Sequence, residues 1–89
     1  MRWVHLDDDV IVYLREHPQE RVLVALTRAA AGAVDLDARV LTLAPGMELP
    51  ALLDHPGLEP RRDTLRLPAT DGPTGRAWRL PATGYAPLA

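Results

Sequence analysis

The chain has 89 residues, a mass of 9.8 kDa and a formal net charge of -2. This length accommodates one small domain, and a content of 47% hydrophobic and 25% charged residues is typical of a folded chain rather than of a disordered tail. The length excludes a second catalytic lobe. The sequence also contains no apolar run of about 18 residues that could span a membrane, and it lacks the clustered positive charge of a nucleic-acid-binding protein.

Two valine-rich runs in the N-terminal half predict an antiparallel hairpin. They are Val10 to Glu16 and Arg21 to Arg28, and a short polar connection separates them. Their β-branched residues favour strands. A single helix through both runs is the competing interpretation, but Pro18 would clash in its middle and remove a backbone hydrogen bond. We therefore predict that residues 10–15 pair with residues 21–27.

Shorter strands are predicted on both sides of this hairpin. Trp3 to Leu6 forms a first strand, and the aspartates from Asp7 to Asp9 turn the chain into the second. Further along, Val34 and Leu36 alternate with aspartates, which is typical of a half-buried strand. Val40 to Leu43 is predicted to be another strand.

The segment from Met47 to Leu58 allows two interpretations. Pro50 suits the first turn of a short helix ending at Asp54, because proline lacks only a donor that a helix start leaves unpaired. An irregular excursion fits the same residues.

The C-terminal part contains an internal repeat, in which Leu65 to Thr70 resembles Trp78 to Thr83. Both copies alternate apolar and polar residues and contain a proline near the end. Proline has no N–H to donate to a neighbouring strand, so it is typical of the end of a strand. We predict that they form one hairpin. With about seven short strands and regular turn signals, the chain is predicted to be an all-β protein, a small antiparallel β-sandwich of Greek-key type in one domain.

Both faces of the central hairpin are apolar. In its first strand Val10, Val12 and Leu14 face one way, whereas Ile11 and Tyr13 face the other. A sandwich strand normally turns one face to water, so the second face needs a cover. We assign to this second face Ile11, Tyr13, Leu23 and Ala25 as a candidate partner interface. The chain's own Met47–Leu58 segment is the alternative cover.

The order of these patterns resembles the C-terminal β-sandwich domain of alpha-amylase-type glycoside hydrolases. In that family a valine-rich strand with an aromatic residue and an arginine precedes a second valine-rich strand, and the last strand reads leucine, proline, alanine, any residue, glycine. The matching positions span most of the chain: Val10, Ile11, Tyr13, Arg15, Val22, Leu23, Val24, Leu26, Leu80, Pro81, Ala82, Gly84 and Tyr85. Thr27 stands where the family usually has asparagine.

The resemblance implies an accessory domain without an active site. The family's catalytic carboxylates lie in a (β/α)₈ barrel that precedes this domain, and no part of that barrel is present in this sequence. The expected partner is therefore the catalytic barrel of a glycoside hydrolase, or a second copy of the chain where no barrel is attached. No cofactor is expected.

Residue usage also argues against catalysis in this chain. Cys, Lys and Ser are absent, which removes thiolate nucleophiles, Schiff bases and serine triads. The only dense carboxylate cluster, Asp7 to Asp9, lies in a predicted turn, and Asp35 and Asp37 are assigned to the solvent side of a strand. His5, His17 and His55 lack the spacing of a metal site, so no metal is expected.

Two alternative functions remain: a free-standing small β protein that associates with itself through the apolar second face, and a carbohydrate-binding module. Exposed aromatic rings stack on the C–H faces of sugars, and the only aromatic residues besides histidine are Trp3, Tyr13, Trp78 and Tyr85. These four residues are the candidate oligosaccharide contacts, although each of them also suits a core that lacks phenylalanine.

The N-terminal segment does not resemble a secretion signal. The residues from Met1 to Leu6 are too few for the apolar region of a signal peptide, and three aspartates follow them. The chain as given is therefore expected to be cytoplasmic.

Overall fold

The computed structural model describes residues 1–82, which form two antiparallel sheets. Six strands occur in this part of the chain: β1 (Arg2–Leu6), β2 (Val10–His17), β3 (Glu20–Thr27), β4 (Val34–Asp37), β5 (Thr64–Leu67) and β6 (Thr74–Leu80). One sheet has the order β1-β2-β3-β6, and the other pairs β4 with β5. No helix occurs in residues 1–82, so the prediction of an all-β antiparallel fold is confirmed.

The central hairpin pairs the two predicted segments. β2 and β3 pair from Val10 opposite Thr27 to His17 opposite Glu20, across a two-residue turn. β1 adds to the outer side of β2, and the predicted turn between them also forms. A β-bulge at Val4 shifts the pairing of β1 by one residue.

One hydrophobic core joins the two sheets. The side chains that fill it alternate along the strands, as the period of two requires. It consists of Val10, Val12, Leu14, Leu23, Ala25, Leu36, Ala38, Leu41, Leu43, Leu49, Leu65, Leu67, Trp78 and Leu80. Both layers therefore contribute to the same apolar interior.

The predicted hairpin between the two C-terminal repeat copies is wrong. The first copy begins within β5, which pairs with β4, and the second begins within β6, which pairs with β3. The connection between them crosses from one sheet to the other. The copies resemble each other because each strand presents alternate apolar side chains to the same core from opposite sides, Leu65 and Leu67 from β5 and Trp78 and Leu80 from β6.

The predicted strand from Val40 to Leu43 is also wrong. These residues form consecutive turns, in which Val40 N–H donates to Asp37 O and Thr42 N–H donates to Arg39 O, at 3.1 Å each. Thr42 has a φ of 57°, which an extended strand does not allow. The alternation in this segment reflects burial, because the side chains of Leu41 and Leu43 enter the core while that of Val40 remains exposed.

The Met47–Leu58 segment is the irregular excursion, and the alternative helix does not form. Leu49 and Leu58 exchange backbone hydrogen bonds of 2.8 and 2.9 Å, which close a loop between them. Residues 50–52 then lie along the outer edge of β6: Arg79 N–H donates to Pro50 O at 3.0 Å, and the Leu52 amide donates to this strand at 2.8 Å. The excursion therefore covers an edge that would otherwise present unpaired backbone groups.

This loop depends on a glycine. A Cβ added at Gly57 would lie 2.7 Å from the backbone oxygen of Leu49. We expect Gly57→Ala to lower the free energy of unfolding by about 1–3 kcal/mol in urea denaturation, because the backbone must shift to relieve the overlap. Gly32→Ala is the matched control, since no atom lies within 4 Å of its added Cβ. Equal stability of the two variants would contradict this account of the loop.

Candidate functional site

The four-stranded sheet has an apolar outer face directed away from the core. We call it the outer face. The register places its members side by side on neighbouring strands, for example Tyr13 between Trp3 and Val24, and Ile11 between Leu6 and Leu26. Its apolar members are Trp3, Leu6, Ile11, Tyr13, Val22, Val24, Leu26 and Ala77.

Several of these side chains are open to solvent. Trp3, Leu6 and Leu26 are 58%, 68% and 44% exposed, and the others are half-buried by their neighbours. The rings of Trp3 and Tyr13 meet edge to face, with centroids 5.9 Å apart. The outer face is thus a continuous apolar surface that spans all four strands, the kind of surface that a soluble monomer rarely leaves uncovered.

Charged pairs border the outer face at both ends of the strands. At one end Arg79 Nε lies 3.2 Å from a Glu20 carboxylate oxygen. At the other end Arg28 Nε lies 3.3 Å from Asp9 Oδ1. An apolar centre with a charged rim is the arrangement that protein–protein interfaces use.

Two members of the predicted interface lie on the opposite face. Leu23 and Ala25 are fully buried in the core, whereas Ile11 and Tyr13 lie on the outer face. The grouping of these four residues is therefore wrong. The cause is the two-residue turn of the hairpin, which brings Ile11 opposite Leu26 and Tyr13 opposite Val24.

The Met47–Leu58 segment does not cover the outer face. Leu49 enters the core, and Met47, Ala51 and Leu58 pack against the core from the side. The explanation of the apolar face by this segment is therefore wrong.

The candidate sugar contacts do not form one platform. Trp3 and Tyr13 are neighbours on the outer face, but Trp78 is only 1% exposed and faces the core. Its Nε1–H donates to the Pro56 carbonyl at 3.0 Å, and its ring meets the His55 ring edge to face. Trp78 therefore cannot present its face to a sugar. Tyr85 lies outside the described residues.

The acidic turn between β1 and β2 is built around Asp7. Its carboxylate accepts the backbone N–H groups of Asp9 and Val10 at 2.8 Å and lies 2.7 Å from His5 Nε2. These hydrogen bonds, the one from His5 above all, lower the pKa of Asp7 to about 2. Within residues 1–82 no cluster of His, Asp and Glu could hold a metal ion.

The low pKa of Asp7 predicts a pH dependence of stability. The ordinary value is 3.8, so the ionised carboxylate stabilises the fold at pH 4 and above, and this contribution disappears as the pH falls toward 2. We expect Asp7→Asn to lose less stability than the natural chain between pH 5 and pH 2, both measured by urea denaturation. Asp8→Asn is the control, because the Asp8 side chain accepts no hydrogen bond from residues 1–82. Parallel pH profiles for the natural chain and Asp7→Asn would refute this role.

The two strand aspartates are exposed, as predicted, and each pairs with an arginine. Asp35 accepts two hydrogen bonds from Arg66 on the neighbouring strand, at 2.7 and 3.0 Å. Asp37 binds Arg39 two residues further along the chain. These partners lower the pKa of both carboxyl groups. Their arrangement is that of surface ion pairs.

Sequence reasoning missed two buried arginines on the core side of the four-stranded sheet. Arg21 is 1% exposed and donates to the carbonyls of Pro81 and Leu41 at 2.7 and 2.6 Å. Arg76 is 7% exposed and donates to Pro68 O at 2.8 Å. Burial lowers the pKa of both guanidinium groups. The alternation of side chains along a strand could have revealed them. Arg21 lies two positions before the core residue Leu23, and Arg76 two positions before Trp78, so each arginine shares the face of a core residue.

Comparison with protein-family models, with characterised proteins and with solved structures gave no match. No helix in residues 1–82 has the length and apolar character needed to cross a bilayer.

Proposed function

We propose that this chain is a non-catalytic accessory domain with a Greek-key β-sandwich architecture, which packs its outer face against the catalytic barrel of an alpha-amylase-type glycoside hydrolase. The observation that carries the proposal is the outer face itself. Its apolar side chains come from all four strands in register, and charged pairs border them. The resemblance of the strand patterns to the C-terminal domain of those enzymes supplies the barrel as the partner.

The distribution of exposed surface supports this orientation. The opposite face of the same sheet is closed by the core, and the β6 edge is occupied by residues 50–52. Within residues 1–82 nothing covers the outer face or pairs with the free edge of β1. A partner that lies across the sheet would bury apolar surface without disturbing the fold. Burial of apolar surface is the main source of favourable free energy in association.

The test uses the barrel of an alpha-amylase-type enzyme from the same organism, prepared without its C-terminal domain. Adding the natural chain is expected to raise the melting temperature of the barrel, because a partner that binds only the folded state stabilises it. Val24→Arg, at the centre of the outer face, should abolish the increase. Val40→Arg is the control, since Val40 is equally apolar, 55% exposed and placed in the turns after β4. No increase with the natural chain, or an equal increase with both variants, would contradict the proposal.

A carbohydrate-binding module is the second candidate, and one observation favours it. Trp3 is exposed beside Tyr13 on the outer face, and two neighbouring aromatic rings can stack on a sugar. Maltooligosaccharide titration monitored by isothermal titration calorimetry distinguishes the two functions. Binding that is lost in Trp3→Ala favours the sugar, whereas no heat of binding with the natural chain favours the protein partner.

A further inference from the structure

A pocket of about 420 Å³ opens between β6 and the connection that crosses from β5 to β6. We call it the Arg76 pocket. Its walls include Pro56, Pro68, Pro73, His55 and Trp78, and Thr70 and Arg76 contribute polar groups. It lies on the core side of the sheet, so it is separate from the outer face and independent of the proposed function. Its volume suits a small ligand.

The Arg76 guanidinium is a buried charge without a carboxylate partner. The side chain is 7% exposed, and among residues 1–82 no carboxylate lies within ion-pair distance of it. Nη1 is used by the Pro68 carbonyl at 2.8 Å, but Nε is enclosed and has no acceptor. The guanidinium carbon lies 5.6 Å from the centre of the Trp78 ring, which helps to hold the group in place. An unpaired buried cation is costly, and an anionic ligand would remove that cost.

A second polar atom at this pocket also lacks a partner. Thr70 Oγ1 is buried and makes no hydrogen bond within residues 1–82. The backbone of Thr70 is fixed by two hydrogen bonds to Ala31, at 3.0 and 2.8 Å. A hydroxyl that can donate adds a further hydrogen bond to an oxyanion.

Two other side chains at the pocket, His55 and Trp78, are already used. His55 Nε2 accepts from the Ala77 N–H at 3.1 Å, and its Nδ1 lies 3.0 Å from the Pro56 carbonyl. Trp78 Nε1 donates to the same carbonyl. Arg76 and Thr70 therefore carry the buried polar atoms at the pocket that have no partner within residues 1–82, while prolines and aromatic rings line its apolar part.

We propose that the Arg76 pocket binds a small organic carboxylate with an apolar body. A guanidinium edge with an unpaired Nε–H carries two parallel N–H donors, the geometry that a planar carboxylate fits once the groups that enclose Nε move aside. The pocket has one cationic side chain, Arg76, and one acidic side chain, Asp71. This balance of charge favours a ligand with a single negative charge over a phosphate with a higher charge. The three prolines favour an apolar ring or chain attached to the carboxylate.

The position of the crossing connection supports a built site. Thr27 Oγ1 accepts from the Thr74 N–H at 3.1 Å and lies 3.4 Å from the Gly72 carbonyl, so the core side of β3 anchors the loop. This threonine stands where the resembled family has asparagine. The anchor keeps the wall of the pocket in place when the outer face is changed.

The probe is benzoate, with neutral benzamide as its isosteric control. We expect benzoate to shift the Arg76 Nε–H resonance in ¹⁵N-edited NMR spectra and benzamide to bind at least about tenfold more weakly, because a charge-assisted hydrogen bond is roughly twice as strong as a neutral one. Arg76→Met should remove benzoate binding. Arg79→Met, which changes an exposed arginine on the same strand, should retain it.

The remaining outcomes decide the proposal as well. Equal binding of benzoate and benzamide, no shift of the Arg76 resonance at any benzoate concentration, or tighter binding of inorganic phosphate than of benzoate would each overturn it. If Arg76→Met fails to fold, Thr70→Val replaces it, and unchanged benzoate affinity in that variant would count against the site. This experiment measures only the binding of benzoate and does not measure binding to the barrel. Its result is therefore independent of whether the proposed function is correct.

Discussion

Trp78→Ala is expected to lower the free energy of unfolding by about 3–5 kcal/mol, because truncating a large core side chain loses its burial and leaves a cavity. Trp78 is 1% exposed in the centre of the core. The substitution also leaves the Pro56 carbonyl without the indole donor that lies 3.0 Å from it. Small domains have total stabilities of about 5–15 kcal/mol, so this loss is a large fraction of the total, and we expect the melting temperature in circular dichroism to fall by more than about 10 °C.

The control for this prediction is Trp3→Ala. Trp3 is 58% exposed, and its main contact is the edge of the Tyr13 ring. Its replacement should cost only about 0.5–1.5 kcal/mol, the range for one aromatic pair. If Trp3→Ala were as destabilising as Trp78→Ala, the assignment of one tryptophan to the core and the other to the surface would be wrong.

Ile11→Arg is expected to change the oligomeric state of the chain without unfolding it. Within residues 1–82 the outer face has no cover, and two-fold pairing of identical surfaces is the commonest way in which copies of one chain cover such a face. The natural chain should therefore sediment as a dimer or larger species in analytical ultracentrifugation, and Ile11→Arg as a monomer. Ile11 is half-buried on the outer face, where an arginine can reach solvent.

Two neighbouring substitutions control the experiment. Val12→Arg places the same charge one residue later, at a position that is fully buried in the core, and should unfold the domain. Val40→Arg should leave self-association unchanged. A natural chain that sediments as a monomer, or an Ile11→Arg variant that unfolds like Val12→Arg, would contradict the prediction.

The sequence by itself determined the strands of the central hairpin and that these two strands pair with each other. β-Branched residues, strict alternation and Pro18 exclude a helix through both runs, and they leave one compact arrangement for the two segments. Alternation also identified which side chains of one strand share a face. The acidic turn before Val10 followed from local chemistry, since an aspartate can bind backbone N–H groups two and three residues further along the chain.

Only the tertiary structure decided which faces of neighbouring strands coincide. Whether Ile11 lies beside Leu26 or beside Ala25 depends on one residue of loop length, because a shift of one position moves every side chain to the other face. The sequence likewise left open which strands pair with β5 and β6. A half-buried strand alternates apolar and polar residues in the same way whichever strand it pairs with. The burial of Arg21 and Arg76 was decided in the same way. An arginine on the core side of a strand normally reaches solvent at the strand end, whereas here Arg21 donates to the carbonyls of Pro81 and Leu41 and Arg76 donates to the carbonyl of Pro68.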